Sequence, residues 1–519
     1  MLGCRYHSIM KRSSFFRVLP PLQRAIAAAV LMLASPALLM PLTAQTQNLP
    51  NLGSAESEEL SPLMERKLGE QIMHNIRRDT DYLSDPTVTD YLNNFGAILL
   101  AANPEASSDA AYDFFFFSVR DPALNAFALP GGFIGAHSGL VIAAQSESEL
   151  AGVLAHEIGH VSQRHIARMV GSQRQDALLP IAGLLLAVLA ARSSPDLASA
   201  AMLGGSGLAA QRQLGFSRDA EREADRIGLQ ILRNAGFEVT GMVDFFGRLQ
   251  AATRNANDKA PSYLRTHPVT TDRIADIEAR IRYEPYRQRA DSLDFLLVKA
   301  RLRVLQDDTV QGWREVSTLF NQQAMQGARA QMLAAHYGLA LVALRQRDNA
   351  RAQSLLRDLE SELARAPALP VSQIVTTLAI EIKLAMREPE QALQAAQMAR
   401  KQYPLSRAVT MLYAECLLAA AKKEEAILFL RDQAQLYRQD ASIQQALARA
   451  YFAQGKLALQ HIALAEYYTL TGSLPAALEQ LRIARSAGDA SFYDQAMIDA
   501  RERELQANWR EMMKQGKNK

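Results

Sequence analysis

The stretch Leu150-Ala151-Gly152-Val153-Leu154-Ala155-His156-Glu157-Ile158-Gly159-His160-Val161 carries two histidines four residues apart, with a glutamate beside the first. On an α-helix, positions i and i+4 share a face, so both imidazoles can hold one metal ion. Glu157 projects beside them and can take a proton from water bound to that ion. The alternative is a pair of histidines on a helix surface. Ala151, Val153, Leu154, Ile158 and Val161 argue against it, because they make the helix a buried one. A buried His-Glu-His cluster without a metal would be costly. On this pattern, residues 147–169 are predicted as one long helix.

A catalytic zinc takes three protein ligands and keeps one position open. The third ligand must come from elsewhere, and Glu221-Arg222-Glu223-Ala224-Asp225 offers it. This segment lies on a helix predicted to start after Ser217, an N-cap, and to end near Gly236, a C-cap glycine. Glu221 and Asp225 share one face beside Ala220, Ala224, Ile227 and Ile231. We take Glu221 as the ligand and Asp225 as the partner of a ligating imidazole, whose tautomer it would fix. The spacing equally allows an exposed charged face with Arg222 and Arg226 as partners.

Helical spacing of apolar residues covers 60–78 and 88–102. Phe114 to Phe117 with Val119 reads as a strand. Residues 125–128 and 133–141 follow as further strand material around the turn signal Leu129-Pro130-Gly131-Gly132. The run 177–191 is intensely apolar, and Gly204, Gly205 and Gly207 loosen the chain after it. At 15 residues this run is too short for an untilted membrane span. It reads as a buried helix, or as a lid or flap in peripheral contact with a membrane. Residues 254–265 read as loop and 270–282 as a last helix, with a boundary at 284–291. His165, five residues after His160, falls off the ligand face and reads as structural. His74, His336 and His461 read as structural or surface residues.

The 519 residues are 49% hydrophobic and 21% charged, which excludes a collagen-like, mucin-like or fully disordered chain. Net charge is +3, without the basic surplus of a nucleic-acid binder, so no nucleic-acid partner is expected. Residues 1–44 carry five basic residues and no acid. They contain an apolar run, 25–39, and end on Leu42-Thr43-Ala44. These are the parts of a signal peptide cleaved after Ala44. Pro36 and Pro41 interrupt the run, which falls short of the roughly 20 residues that span a bilayer as an anchor. Residues 45–61 read as a flexible arm. Cys416 is then the one mature cysteine, a small core residue, and no intrachain disulfide can form. A secreted chain without disulfides suggests the periplasm.

From about residue 291 the pattern is helical throughout. Ala392, Ala399 and Pro404 stand at offsets of 7 and 12, and Ala426 follows Ala392 by 34. Ala465, Ala477 and Ala484 repeat the frame. A 34-residue period with small residues at helix crossings resembles tetratricopeptide repeats. A plain Ala-rich bundle is the alternative, since the frame stretches between Arg345 and Glu388 and contracts between Gly455 and Gly472.

His156 to His160, followed on the later helix by Glu221-x-x-x-Asp225, resembles the gluzincin-type membrane-associated metallopeptidases that include Oma1 and HtpX. Asn125-Ala126-Phe127-Ala128-Leu129-Pro130-Gly131-Gly132 is also typical of that family, where it borders the cleft; His137 lies in the same region without an assigned role. The leader and the repeats match the branch of the family that works in the periplasm of Gram-negative bacteria. The resemblance implies an α+β fold: a mostly helical protease domain with a small sheet over 45–285, followed by an all-α tetratricopeptide solenoid over 286–519. It implies one zinc ion per chain on His156, His160 and Glu221, with Glu157 as general base and Asp225 in support. His267, in Arg265-Thr266-His267-Pro268, matches a histidine that can cap the zinc from a mobile loop. The implied partners are misfolded or stalled outer-membrane β-barrel proteins such as LptD, and the BAM assembly machinery, reached through the repeats. Two functions stay open: an endopeptidase for quality control, and a chaperone or assembly scaffold with a usually latent zinc site.

Overall fold

The structure is a computed structural model that describes residues 60–104, 113–171, 217–255, 262–365 and 371–517. The expected signal peptide, all but the end of the arm, the apolar run 177–191 and Gly204, Gly205 and Gly207 lie outside the described residues.

Two helices come first, α1 (Pro62–Ile76) and α2 (Pro86–Ala101). Each opens on a capping side chain followed by proline, whose missing N–H costs nothing in the first turn. Ser61 accepts from the Met64 N–H at 3.3 Å, and Asp85 from the Val88 N–H at 3.0 Å. Strands β1 (Phe115–Val119), β2 (Ala126–Leu129) and β3 (Phe133–His137) form a sheet of order β1-β3-β2. β3 runs parallel to β1 and antiparallel to β2, with Gly135 opposite both Phe117 and Phe127. Gly131 and Gly132, at φ +77° and +90°, make the tight β2–β3 turn that a side chain would strain. β2 is therefore an edge strand of this sheet.

Then follow α3 (Ser138–Ala143), α4 (Glu147–Ser162), α5 (His165–Gly171), α6 (Arg218–Asn234), α7 (Thr240–Asn255), α8 (Ser262–Thr266) and α9 (Thr271–Ile281). α4 is buried on every side from Glu147 to Val161, packed against α6, α7 and the sheet. Three expectations need correction. The strand expected over 133–141 stops at His137, because Asp121 turns the chain: its N–H donates to the Ser138 hydroxyl at 3.1 Å and its carbonyl accepts from Gly139 at 2.9 Å. The helix expected over 147–169 breaks at Arg164, which takes φ +51° and sends its guanidinium to Glu65 at 3.3 Å and to the Leu60 carbonyl. The loop expected over 254–265 includes the end of α7 and the short helix α8.

The C-terminal part is a run of helices: α10 (Leu293–Gln306), α11 (Val310–Gln326), α12 (Arg329–Arg345), α13 (Asn349–Ala364), α14 (Gln373–Ala385), α15 (Pro389–Gln402), α16 (Arg407–Ala419), α17 (Lys423–Leu436), α18 (Ala441–Gln454), α19 (Leu457–Leu470), α20 (Leu474–Ser486) and α21 (Phe492–Lys517). Each packs on its neighbour in sequence. Arg387, Ala421 and Gly455 are evenly spaced along the chain, and each takes a left-handed turn between successive helices. One hydrophobic core runs from Val88 in α2 through α4, α6 and α7 to α10–α14. Polar contacts tie α2 further along the run. Buried Asp90 accepts from the Ser406 hydroxyl at 2.7 Å and the Ala408 N–H at 3.0 Å, at the start of α16. Among the described residues no helix is long and apolar enough to cross a membrane.

Candidate metal centre

Helical spacing alone sets the first pair. His156 and His160 sit one turn apart on α4, with their Nε2 atoms 3.0 Å apart. α6 crosses α4 close by. A side chain at Gly159 would meet the Ala224 backbone at 3.0 Å, so glycine permits this crossing. The approach brings Glu221 to 3.5 Å from His156 Nε2 and 3.4 Å from His160 Nε2. His267 closes the cluster from the chain after α8, where its N–H donates to the Tyr263 carbonyl at 2.8 Å. Its ring stacks on Tyr263 at 4.6 Å, and its Nδ1 lies 3.0 Å from Glu221.

His156, His160, Glu221 and His267 are each at most 1% exposed, and each offers an atom within 4.8 Å of the other three. Imidazole and carboxylate donors are those zinc prefers. Tetrahedral ligands at about 2.0–2.1 Å would stand roughly 3.4 Å apart, close to the spacings seen here. Glu157 lies beside the cluster, fully buried, with neither oxygen in a side-chain hydrogen bond. His267 Nε2 is 3.6 Å from it, and its backbone neighbour is Ala128 of β2. A buried carboxylate in that state has its oxygens available for water.

A second layer holds the donors. Asp225 Oδ1 is 3.0 Å from His156 Nδ1, which turns Nε2 toward the cluster. Arg273, on α9, grips Asp225 at 2.8 and 2.7 Å and reaches Glu221 at 2.7 Å. Arg222, an alternative partner in the sequence, instead pairs with Asp219 at the surface. The charges follow from these contacts. Burial alone would lower the His156 pKa, but Asp225 and Glu221 outweigh it and raise it to about 9. Burial takes His160 well below the usual range and raises Glu157. Burial would also raise Glu221 and Asp225, yet Glu221 is held well down, chiefly by His267, and Asp225 by Arg273 and His156. Asp225→Asn should weaken zinc binding by about 10–100-fold, the usual cost of losing such a partner, measured by chelator competition.

All the sequence-predicted site residues converge here. Sequence reasoning missed Tyr263, Arg273 and the contact of His165, whose Nδ1 lies 2.8 Å from His160 Nδ1. His137 stands apart from the cluster, 3.3 Å from Asp121. His74 binds the Leu470 carbonyl and His461 pairs with Gln480, both away from the site.

Comparison with known proteins agrees with this geometry. Peptidase family M48 matches residues 98–281, which hold the whole cluster. The beta-barrel assembly-enhancing protease of Escherichia coli strain K12 is 30% identical over 453 residues, covering 87% of this chain and 90% of that one. The chain belongs to the beta-barrel assembly-enhancing protease family. A Vibrio cholerae relative is 39% identical over 254 residues, 49% of this chain and 51% of its own. The mitochondrial metalloendopeptidase OMA1 of Schizosaccharomyces pombe is 33% identical over 160 residues, 31% of this chain and 44% of its own. This M48 peptidase is a zinc metalloprotease, and its buried cluster of three histidines and a glutamate fits that ion.

Proposed function

We propose that the protein is a periplasmic zinc endopeptidase in outer-membrane protein assembly and quality control, with His156, His160 and Glu221 as the zinc ligands. The observation that carries this reading is the buried cluster with Glu157 beside it. Bound there, zinc supplies Lewis acidity toward the scissile carbonyl and lowers the pKa of its water to about 7. Glu157 accepts the proton of the attacking water and returns it to the amine as the C–N bond breaks. Asp225 holds His156 in the ligating tautomer, and Arg273 holds Asp225. The edge strand β2, whose Ala128 borders Glu157, suits an extended substrate added as a further strand.

The relatives' name, which speaks of β-barrel assembly, supports misassembled outer-membrane barrels such as LptD as substrates. The helical run from α10 onward, read as a tetratricopeptide solenoid, would dock on the BAM machinery. The two equal steps of 34 residues between the left-handed turns at Arg387, Ala421 and Gly455 support that reading, while the turns at Arg347 and Gly472 depart from the period.

His267 within the cluster favours a latent resting state. As a fourth ligand it would take the place of water; swung away, it could donate to the oxyanion. His267→Ala should raise casein cleavage about tenfold if the open form is a tenth of the population, with one zinc per chain retained. Lower cleavage at full zinc content would instead place His267 in the reaction itself, and unchanged cleavage would remove it both as gate and as participant. The same position of His267 supports a second reading, a chaperone or assembly scaffold with a usually latent site. Full zinc content with no cleavage of any unfolded barrel protein, in wild type or His267→Ala, would favour it.

A further inference from the structure

His165 was expected to be a structural residue off the ligand face. The break at Arg164 changes that. A straight helix would carry position 165 away from His160, but the left-handed turn starts α5 anew and folds the His165 ring back. The two rings lie 4.9 Å apart, almost edge to face, with Nδ1 to Nδ1 at 2.8 Å. The other nitrogen of His165, Nε2, lies 3.1 Å from Glu223 Oε2. Arg168 holds the same oxygen at 3.0 Å. His165 is 3% exposed, so this chain of contacts runs from the protein surface at Arg168 inward to the metal cluster.

We infer that Glu223 and His165 form a tautomer relay that positions His160 as a zinc ligand, the counterpart of the direct Asp225–His156 contact. The inference rests on the ligand assignment proposed above, and its chemistry is proton counting. A neutral imidazole carries one N–H. Across the short Nδ1–Nδ1 contact, one ring donates and the other accepts. If His160 donates, its Nε2 is bare and faces His156 and Glu221, as a ligand must. If His165 donates, the proton of His160 moves to Nε2 and blocks the ligating position. Glu223 decides between these states. A carboxylate is acceptor-only, so it requires a proton on His165 Nε2. The Nδ1 of His165 is then bare and can only accept, and His160 is held in the ligating form. Arg168 holds the Glu223 carboxylate in place.

Asp225 and Glu223 lie two residues apart on α6, so one helix serves both histidines of α4, one directly and one through an intervening ring. This gives the motif Glu221-Arg222-Glu223-Ala224-Asp225 three acidic residues with distinct tasks. Glu221 faces the cluster, Asp225 orients His156, and Glu223 orients His160 at one remove. The spacing of the motif supplies the placement, since residues two apart point to different sides of a helix. Glu223 thereby reaches past the end of α4 to the His165 ring.

The test is zinc affinity of the full chain by chelator competition, with the absorption spectrum of the cobalt(II)-substituted protein as second readout. Four variants are compared: His165→Leu, His165→Asn, Glu223→Leu and His160→Ala. Asparagine places its Oδ1 near the position of Nδ1 and still accepts from His160. The relay predicts that His165→Leu and Glu223→Leu each lose about 10–100-fold in zinc affinity and shift the cobalt spectrum. It predicts that His165→Asn recovers most of the affinity with a near-native spectrum. Equal loss in His165→Asn and His165→Leu would mean that His165 acts by packing alone, and the relay fails. Native affinity in Glu223→Leu would also overturn it. His160→Ala separates the two levels. If zinc binding survives that change undiminished, the ligand assignment itself is wrong; if it is lost while the His165 and Glu223 variants bind normally, only the relay is.

Discussion

Glu157→Gln should lower peptide hydrolysis by about 10²–10⁴-fold, the usual loss when a positioned general base is removed. The variant should still hold one zinc per chain and keep its melting temperature. Glutamine matches the shape of glutamate, and Glu157 lies in no side-chain hydrogen bond that the change would break. Burial raises the pKa of Glu157, so a neutral amide at this position carries no added desolvation cost. Chemistry and folding are therefore separated by one substitution. Casein cleavage by the purified variant, read beside its zinc content, is the measurement. Cleavage within tenfold of wild type, at full zinc content, would remove Glu157 as the base.

Much of this centre is legible in the sequence because it is made of helix-local spacings. His156 and His160 share a face by period alone, and Ser217 and Gly236 mark the ends of α6 by their capping chemistry, with Ser217 accepting from the Ala220 N–H at 3.2 Å. Placing Glu221 against α4 was a tertiary inference that spacing left open. What decides it is Arg273, 48 residues beyond Asp225, and nothing local marks that arginine as its partner. Arg222 and Arg226 were the natural partners by helix spacing, yet both face outward. The contact of His165 with His160 is hidden for a similar reason. It depends on the left-handed turn at Arg164, and that turn is held by Glu65, 99 residues earlier. A non-glycine residue at positive φ leaves no sequence signal when long-range contacts hold it. Tyr263 was hidden inside a stretch read as loop, because a five-residue helix is too short for a period to show.

Arg301→Met should destabilise the protein by about 3–5 kcal/mol at pH 7, because it leaves buried carboxylates without their cation. Arg301, on α10, is 3% exposed. Its guanidinium meets Asp85 at 2.8 Å, Glu381 at 3.0 Å and the Tyr337 hydroxyl at 3.0 Å. Asp85 caps α2, Tyr337 lies in α12 and Glu381 in α14, so one arginine joins the helix beside the sheet to two helices of the C-terminal run. Methionine fills much of the space but neutralises nothing. The pH dependence gives the sharper test. Burial alone would raise the Asp85 pKa, yet Arg301 and the Val88 N–H outweigh it and hold it below the usual 3.8. A group depressed in the folded state contributes stability that is complete above its unfolded pKa and is lost as pH falls through the folded one. The gap between wild type and Arg301→Met should therefore be widest at neutral pH and should narrow in acid, as Asp85 takes up a proton in the variant first. Denaturant unfolding at pH 7 and pH 4 measures both values. A gap below about 1 kcal/mol at pH 7 would place this network among exposed ion pairs in strength and remove it as the joint between the two halves. If the gap is large, Arg301→Met combined with Asp85→Asn and Glu381→Gln should recover part of the loss, since the cost lies in uncompensated charge more than in missing contact.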